Sequence, residues 1–449
     1  MTLKASLLRE LVNPNLDVGG RAQLCCELAK DFENKGEYED AREVLSGLWP
    51  RMDQRPRLTG LDQSTAGEVL LRAGVLTGVI GDSHHVANAQ EKAKNLISQS
   101  LSIFEGQRYK KKVAEAQTEL ALCYWRTGEH NEATDLLNLA LAQLTTESDL
   151  KAKAVVRSAI VEIDAKRFNE ALRILTDNAA LFEKINNHTI KGSYHQTLGD
   201  VLEWLWDSEG PQDYLDRALV EYAAASHHFE EAEHKCYLAN VENNLGFLLY
   251  KVNHCDEAHK HLDHARRIFT RLKDKHAAAQ VDDTRARVFL KEQRDAEAER
   301  VARASVRILE QSERQSLLAE ALTTHGIALA RLRRYSAALA TFRRALNLAQ
   351  QTEDRNRVAD VTVTVFQELG DRLAVVEERR PVTGRTIMEE IQLLEHDLIK
   401  HALEDCKGSI TYAALSLGLS YQALTYMLKT RHKDLLKERS PVRRRPRKP

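Results

Sequence analysis

The sequence is poor in the residues that break helices. Its 449 residues include 20 glycines and 8 prolines, and seven of the prolines lie towards the ends, at Pro14, Pro50, Pro56, Pro381, Pro441, Pro446 and Pro449. Only Pro211 interrupts the centre. Roughly three hundred residues therefore run almost free of the residue that removes a backbone donor and fixes φ. Ala, Leu, Glu, Arg and Lys are common, so the expected fold class is all-α.

Long apolar runs are missing too. No stretch reaches membrane-spanning length, and the start, MTLKASLLRELVNPNLD, has neither an apolar core nor an evident processing site. Export and membrane contact are not expected; the expected location is cytoplasmic. The six cysteines (Cys25, Cys26, Cys123, Cys236, Cys255, Cys406) lack paired metal-ligand spacing. They read as small buried hydrophobes in a reducing compartment.

The signatures of catalysis are also absent. There is no glycine-rich phosphate loop, nucleophile elbow or zinc-hydrolase motif. Acidic pairs such as Glu230 and Glu231 read as solvated helix surface, so no enzyme and no cofactor is expected. Among 17 histidines, the best metal-ligand group is His254, Cys255, His261 and His264, of which His261 and His264 can share one helix face. Cys255 falls on an apolar turn position of the repeat described next, which favours packing over ligation, and no metal is expected.

What is present is a repeat of about forty residues. The segment LAEALTTHGIALARLRRYSAALATFRRALNLAQ holds Gly326 in its first helical pattern and Tyr335 at the turn, then Ala338, Phe342, Ala345 and Leu346 at helical spacing. YLANVENNLGFLLYKVNHCDEAHKHLDHARRIF repeats this with Leu245, Gly246, Ala258, Leu262 and Ala265. Ala258, Ala298 and Ala338 are 40 residues apart, and Ala171 follows Ala133 by 38. The first unit carries Leu28, Ala29, Phe32, Gly36, Tyr38, Ala41 and Leu45.

Small residues let two paired helices approach, while large apolar residues fill the space between neighbours. A single pair leaves one apolar face wet, so the units must stack. This pattern resembles the tetratricopeptide-repeat family, and the resemblance implies a right-handed superhelical solenoid whose first helices line a concave groove. The period here is longer than that family's. Long variants resemble the sensor solenoids of some bacterial transcription regulators.

About eight units fit between residues 21 and 354, after an N-terminal helix or cap over 1–20. The unit AGEVLLRAGVLTGVIGDSHHVANAQEKAKNLISQSL lacks the aromatic turn residue, and WDSEGPQDY reads as an inserted loop because Gly210 and Pro211 do not easily continue a helix. Residues 355–379 read as a capping helix and 380–385 as a linker. Asn240, Asn243 and Asn244 fall in a first helix that should line the groove. Their amides suit a peptide backbone, so they are the candidate partner-binding residues; plain solvent exposure is the alternative.

Charge is uneven. From Arg380 to Pro449 there are 14 Lys+Arg and 8 Asp+Glu, a net of +6, which leaves −7 on the rest of a chain of net −1. This basic end includes a distinct module over 386–438. Its first helix runs to about Asp405 with a stripe of Ile387, Ile391, Leu394, Leu398 and Ile399; a second covers about Ile410 to Leu417 and a third Tyr421 to Lys429. Gly418 marks the turn and Ser420 a cap, with Ala413 and Ala414 small enough for close crossing.

The stretch LIKHALEDCKGSITYAALSLGLSYQALTYMLK resembles the DNA-binding helix-turn-helix module of the Fis family. The resemblance implies a dimer that presents two recognition helices to successive major grooves of double-stranded DNA. Where that family places basic residues, this chain has Tyr421, Gln422, Thr425 and Tyr426, with only Lys429 charged. Gln422 and Thr425 suit base edges; Tyr421 and Tyr426 suit phosphate or thymine methyl groups. Lys429 to Pro449 holds 10 Lys+Arg and 2 Asp+Glu. Arg431 and the disordered tail over 439–449, with Arg443, Arg444 and Arg445, therefore add expected backbone contacts.

The expected function is a bacterial DNA-binding transcriptional regulator, a homodimer whose solenoid senses or recruits a peptide, protein or small effector. The alternative is a non-enzymatic scaffold whose C-terminal helices oligomerise or bind a protein.

Overall fold

The computed structural model describes residues 16–438 except 84, 85, 87, 209, 210, 313, 353, 354, 374–386, 418 and 420. The expected tail residues Arg443, Arg444 and Arg445, the linker 380–385, Gly418 and Ser420 lie outside the described residues. Among the described residues there is no strand, and no helix is long and apolar enough to cross a membrane.

Two compact units divide the chain at residues 273 and 274. The first holds six helical hairpins: α1 (Val18–Asn34) with α2 (Tyr38–Val44), α3 (Gln63–Ser83) with α4 (Ala89–Gly106), α5 (Lys110–Arg126) with α6 (His130–Gln143), α7 (Asp149–Asp164) with α8 (Phe168–Asp177) and its short continuation α9 (Ala179–Lys184), α10 (His188–Asp207) with α11 (Gln212–Glu231), and α12 (Lys235–Lys251) with α13 (Cys255–Arg271). The second holds α14 (Lys275–Lys291) with α15 (Asp295–Leu309), α16 (Gln315–Arg331) with α17 (Tyr335–Gln351), then α18 (Arg355–Leu373), α19 (Ile387–Asp405), α20 (Ile410–Ser416) and α21 (Tyr421–Thr430), ending in a 3₁₀ turn over Lys433–Glu438.

The repeat letters have fixed structural jobs. Ala41, Ala133, Ala171, Ala258, Ala298 and Ala338 each sit three residues into a second helix, and all are fully buried. Tyr38, Phe168, Cys255 and Tyr335 each open a second helix. A residue two places earlier turns the chain through the left-handed region: Gly36, Gly128, Lys166, Asn253, Gln293 and Arg333. The hairpins α10/α11, α12/α13 and α16/α17 then close on small-to-large contacts. A Cβ on Gly326 would stand 2.6 Å from the Phe342 ring, and one on Gly199 2.9 Å from Tyr222.

The unit without an aromatic turn residue pairs by another device. Gly67, Gly74 and Gly81 recur every two turns along α3 and lie against Phe104, Ile97 and Ala89 of α4, so the helices approach along their whole length. The expected inserted loop is short. Helix α10 continues through Asp207 and α11 begins at Gln212, with Pro211 just before the first turn, where its missing N–H costs nothing. Two cysteines, Cys26 and Cys123, are buried; the other four are half-buried.

Within the first unit the chain returns to its beginning. Thr189 Oγ1 donates to the Asn34 carbonyl at 2.8 Å, and Gly36 sits so close to the buried His234 ring that a Cβ would lie 2.5 Å away. In the second unit, Val361, Val365 and Leu369 of α18 cover the apolar face of α16 and α17 around Phe342 and Leu346. Each such burial contributes about 1.5–3 kcal/mol.

Candidate nucleic-acid interface and inner face of the solenoid

The end of α19 is turned by Lys407 and Gly408, both at positive φ, and the Gly408 N–H donates to the Leu403 carbonyl at 2.7 Å. The chain then enters α20, where Ala413 and Ala414 are buried, and the Leu419 N–H donates back to Ala414 at 2.8 Å. Leu424 and Leu428, four residues apart on α21, are fully buried against Ile399, Leu403, Ile410 and Leu435. In the first-helix stripe, Ile399 is buried and Leu398 half-buried; the placements of the Ile387, Ile391 and Leu394 side chains lie outside those described.

That inward stripe fixes what α21 presents outward. Tyr421 is 54% exposed and Tyr426 65%, and Gln422 and Lys429 are exposed beside them. Thr425 is half-buried, and its hydroxyl is shielded from solvent without a hydrogen-bond partner. Arg431 lies just past the helix, with Nη1 3.6 Å from Glu395 Oε2, so part of its charge is already answered within the domain.

Glu395 was invisible as a functional residue in the sequence. It is almost fully buried on α19, with Oε1 3.3 Å from Nε2 of the buried His432, and this contact ties the exit of α21 to α19. Next to it, His396 Nε2 lies 2.6 Å from Asp434 Oδ2; the hydrogen bond to Asp434 holds the imidazole above its ordinary pKa. Helical spacing alone carries no signal for either pair, because their partners lie 37 and 38 residues away.

Beside their shared apolar clusters, the first helices α1, α3, α5 and α7 of the first unit are joined by charge. Arg72 on α3, 1% exposed, bonds Glu33 on α1 at 2.5 Å and Glu115 on α5 at 2.9 Å. Lys30 reaches the same Glu115 at 2.6 Å, and Lys112 bridges Glu68 and Glu115. On the next step Glu119 of α5 takes Lys153 at 2.7 Å and Arg157 at 2.8 Å from α7. Burial works against the Glu115 and Glu119 carboxylates, but the surrounding cations outweigh it and hold both well below the usual range. At Glu33 burial outweighs the pull of Arg72 and pushes the carboxyl up to about 7.

The candidate asparagines sit on α12. Asn240 is exposed, while Asn243 and Asn244 are half-buried. Asn244 Nδ2 donates to Asp200 Oδ1 at 3.4 Å, and Asn243 Oδ1 is shielded without a partner. The Tyr222 hydroxyl lies 2.7 Å from Asp200 Oδ1 and 2.9 Å from Glu203 Oε2, while Lys251 answers Glu203 and Asp207. Burial pushes the Asp200 carboxyl up to about 7, against the hydrogen bonds from Tyr222 and Asn244 that favour its charged form.

The histidine group is dispersed by function. His261 and His264 both face Glu242 Oε2, at 2.9 and 3.2 Å, which also accepts at Oε1 from the Ser226 hydroxyl. His254 lies instead 3.9 Å from Glu257. Among the described residues no three His, Cys, Asp or Glu side chains are arranged to hold a metal ion.

Residues 390–430 match the family described as "Bacterial regulatory protein, Fis family". The C-terminal module is accordingly a Fis-type helix-turn-helix domain. No curated protein sequence matches the chain. Solved structures resemble its fold at low identity. The apo form of the quorum sensor NprR from B. thuringiensis is 11% identical, with a TM-score of 0.54 over 77% of this chain and 92% of that one. A Rap protein complexed with Competence and Sporulation Factor is 14% identical, with a TM-score of 0.51 over 82% of this chain and 100% of that one. Aspartyl phosphate phosphatase F from Bacillus subtilis is 14% identical, with a TM-score of 0.50 over 78% and 88%. At these identities the likeness is one of fold, and the body of the chain is a TPR-like helical solenoid.

Proposed function

We propose that this chain is a cytoplasmic, non-enzymatic, DNA-binding transcriptional regulator. It acts as a homodimer, and its solenoid binds a peptide or protein effector through the inner face around Asn240, Asn243 and Asn244. The observation that carries the reading is the outward face of α21: Tyr421, Gln422, Tyr426 and Lys429 project from a helix of a Fis-type fold whose Leu424 and Leu428 are turned inward. Such a helix fits the major groove, and two copies are needed because one contacts too little DNA for strong discrimination. Lys429, Arg431 and the tail arginines Arg443, Arg444 and Arg445 supply the backbone contacts, with Thr425 supporting the helix from its shielded side.

The effector half of the reading draws support from the fold neighbours, a quorum sensor and a Rap protein solved with Competence and Sporulation Factor. It draws further support from the shielded, unpartnered Asn243 Oδ1, an acceptor that a backbone N–H would satisfy after a small side-chain rotation.

The test is binding of the full-length chain to a random duplex pool across a salt series, followed by sequence selection. The expected result is an enriched two-fold motif, weakened by Gln422→Ala and bound uniformly less tightly after truncation at Glu438. Binding without enrichment that vanishes with the tail would instead leave a scaffold whose C-terminal helices serve protein contact.

A further inference from the structure

We infer that the recognition surface selects A·T base pairs, with Gln422 reading adenine and the Tyr421 and Tyr426 rings packing on thymine methyl groups. The inference rests on the DNA-binding reading above and adds the chemistry of the site.

It starts from charge. Residues 410–430, which span α20, the turn and α21, contain a single charged side chain, Lys429. Guanine presents two acceptors in the major groove, O6 and N7, and its usual reader is an arginine or lysine that donates to both. In a helix-turn-helix, the N-terminal part of the second helix meets the base edges. Tyr421 and Gln422 occupy that part of α21, whereas Lys429 lies two turns later, next to the exit, where a cation meets phosphate. No donor pair suited to guanine is therefore available where bases are read.

The side chains that are available match the other purine. The Gln422 amide is exposed, and such an amide donates to adenine N7 while its carbonyl accepts from the N6 amino group. Opposite guanine the same carbonyl would face O6, acceptor against acceptor. Tyr426, one turn on from Gln422 along the same face, is the more exposed of the two tyrosines of α21, and Tyr421 flanks Gln422 on the other side. Their ring faces are apolar surface of the kind a thymine methyl covers, and cytosine has no methyl to offer. Thr425 does not compete, because its hydroxyl is shielded by the protein.

Base analogues test this without altering the protein. In the site selected by the full-length chain, deoxyuridine in place of thymidine removes only the methyl group, and the deaza analogue of adenine removes only N7. Within each half-site, at least one substitution of each kind is expected to weaken binding roughly fivefold to a hundredfold, as loss of a good base contact does. Gln422→Arg is expected to keep binding and to move one selected position per half-site from adenine to guanine. Selection of G·C pairs at the contacted positions, or a site in which neither analogue matters, would overturn the inference while leaving DNA binding intact. Absence of binding to every duplex would remove both.

Discussion

The first helices of the first unit and the helix-turn-helix pair use charge in opposite ways. Between α1 and α7, Lys30, Glu33, Glu68, Arg72, Lys112, Glu115, Glu119, Lys153 and Arg157 form a chain of ion pairs joining successive first helices. In the 21 residues of 410–430 only Lys429 is charged. The first helices spend their charge on packing, and the helix proposed to read bases is nearly neutral. The net charge of 380–449 marks the basic end of the chain, but charge does not mark the recognition helix within it. Discrimination and electrostatic affinity are separated, the first on α21 and the second on the residues that follow it.

The largest break in this comparison should come from Arg72. Arg72→Ala strands Glu33 and Glu115 without their buried partner, and a loss of about 3–5 kcal/mol in unfolding free energy is expected. Arg72→Met, which restores the volume, still leaves Glu33 without its ion-pair partner and Glu115 with only Lys30 and Lys112, and should recover only part of that loss. Urea denaturation of both variants measures it. DNA binding under conditions where either variant is folded should match the parent.

Next in size is the small-to-large seam. Gly326→Val would drive a side chain into Phe342, and about 1–3 kcal/mol should be lost as the ring is displaced. Gly47 has nothing within 4 Å of its would-be Cβ and no positive φ, so Gly47→Ala should be neutral or stabilise by less than about 1 kcal/mol. Thermal melts of the pair separate helix packing from a general intolerance of glycine replacement.

A smaller effect sharpens the contrast through pH. The Asp200 carboxyl is pushed from 3.8 to about 7 by burial, so across that range the folded chain keeps a proton that the unfolded chain has released. Its contribution to stability is present below 3.8 and is lost as pH rises through 7. Glu33 has the same sign. His228 and His234, lowered to about 4 by burial, have the opposite sign: their contribution is present above 6.5 and is lost as pH falls. The four partly cancel, so the slope of the parent is uninformative and the difference from a variant is needed. Relative to the parent, Asp200→Asn should gain stability between pH 4 and pH 8 by more than about 1 kcal/mol. A flat difference would mean that Asp200 is ionised in the folded chain.

The sequence displayed the hairpin grammar clearly, because Ala258, Ala298 and Ala338 need to be small at one fixed place in each unit. It hid the turns where Lys166, Gln293 and Arg333 take positive φ, since Gly36, Gly128 and Asn253 announce that conformation by residue type and these three do not. The Gly67, Gly74 and Gly81 seam went unread because its period belongs to close helix contact and not to the aromatic turn signature. At the candidate interface the sequence singled out Tyr421, Gln422, Tyr426 and Lys429 through motif spacing. It was silent on Glu395 and His432, whose contact across 37 residues exists only once α19 and α21 have packed. The shielding of the Thr425 hydroxyl was equally hidden, because helical period locates a residue on a face but not the depth of its oxygen.

The smallest expected effect bears most directly on the separation of affinity from discrimination. Lys429 is exposed at the far end of α21, and if its role is one phosphate contact, Lys429→Ala removes one counterion's worth of binding. The slope of log K against log salt should fall by about 0.9, with nearly the same loss on every duplex tested. Gln422→Ala should do the reverse, leaving the salt slope unchanged and reducing preference at one position of each half-site. Measured side by side on selected and scrambled duplexes, the two variants distinguish a helix that divides its work between bases and backbone from one in which a single lysine carries both. If Lys429→Ala narrows the gap between selected and scrambled DNA, the lysine reads a base, and the near-neutral surface of α21 would owe its discrimination to its one charge.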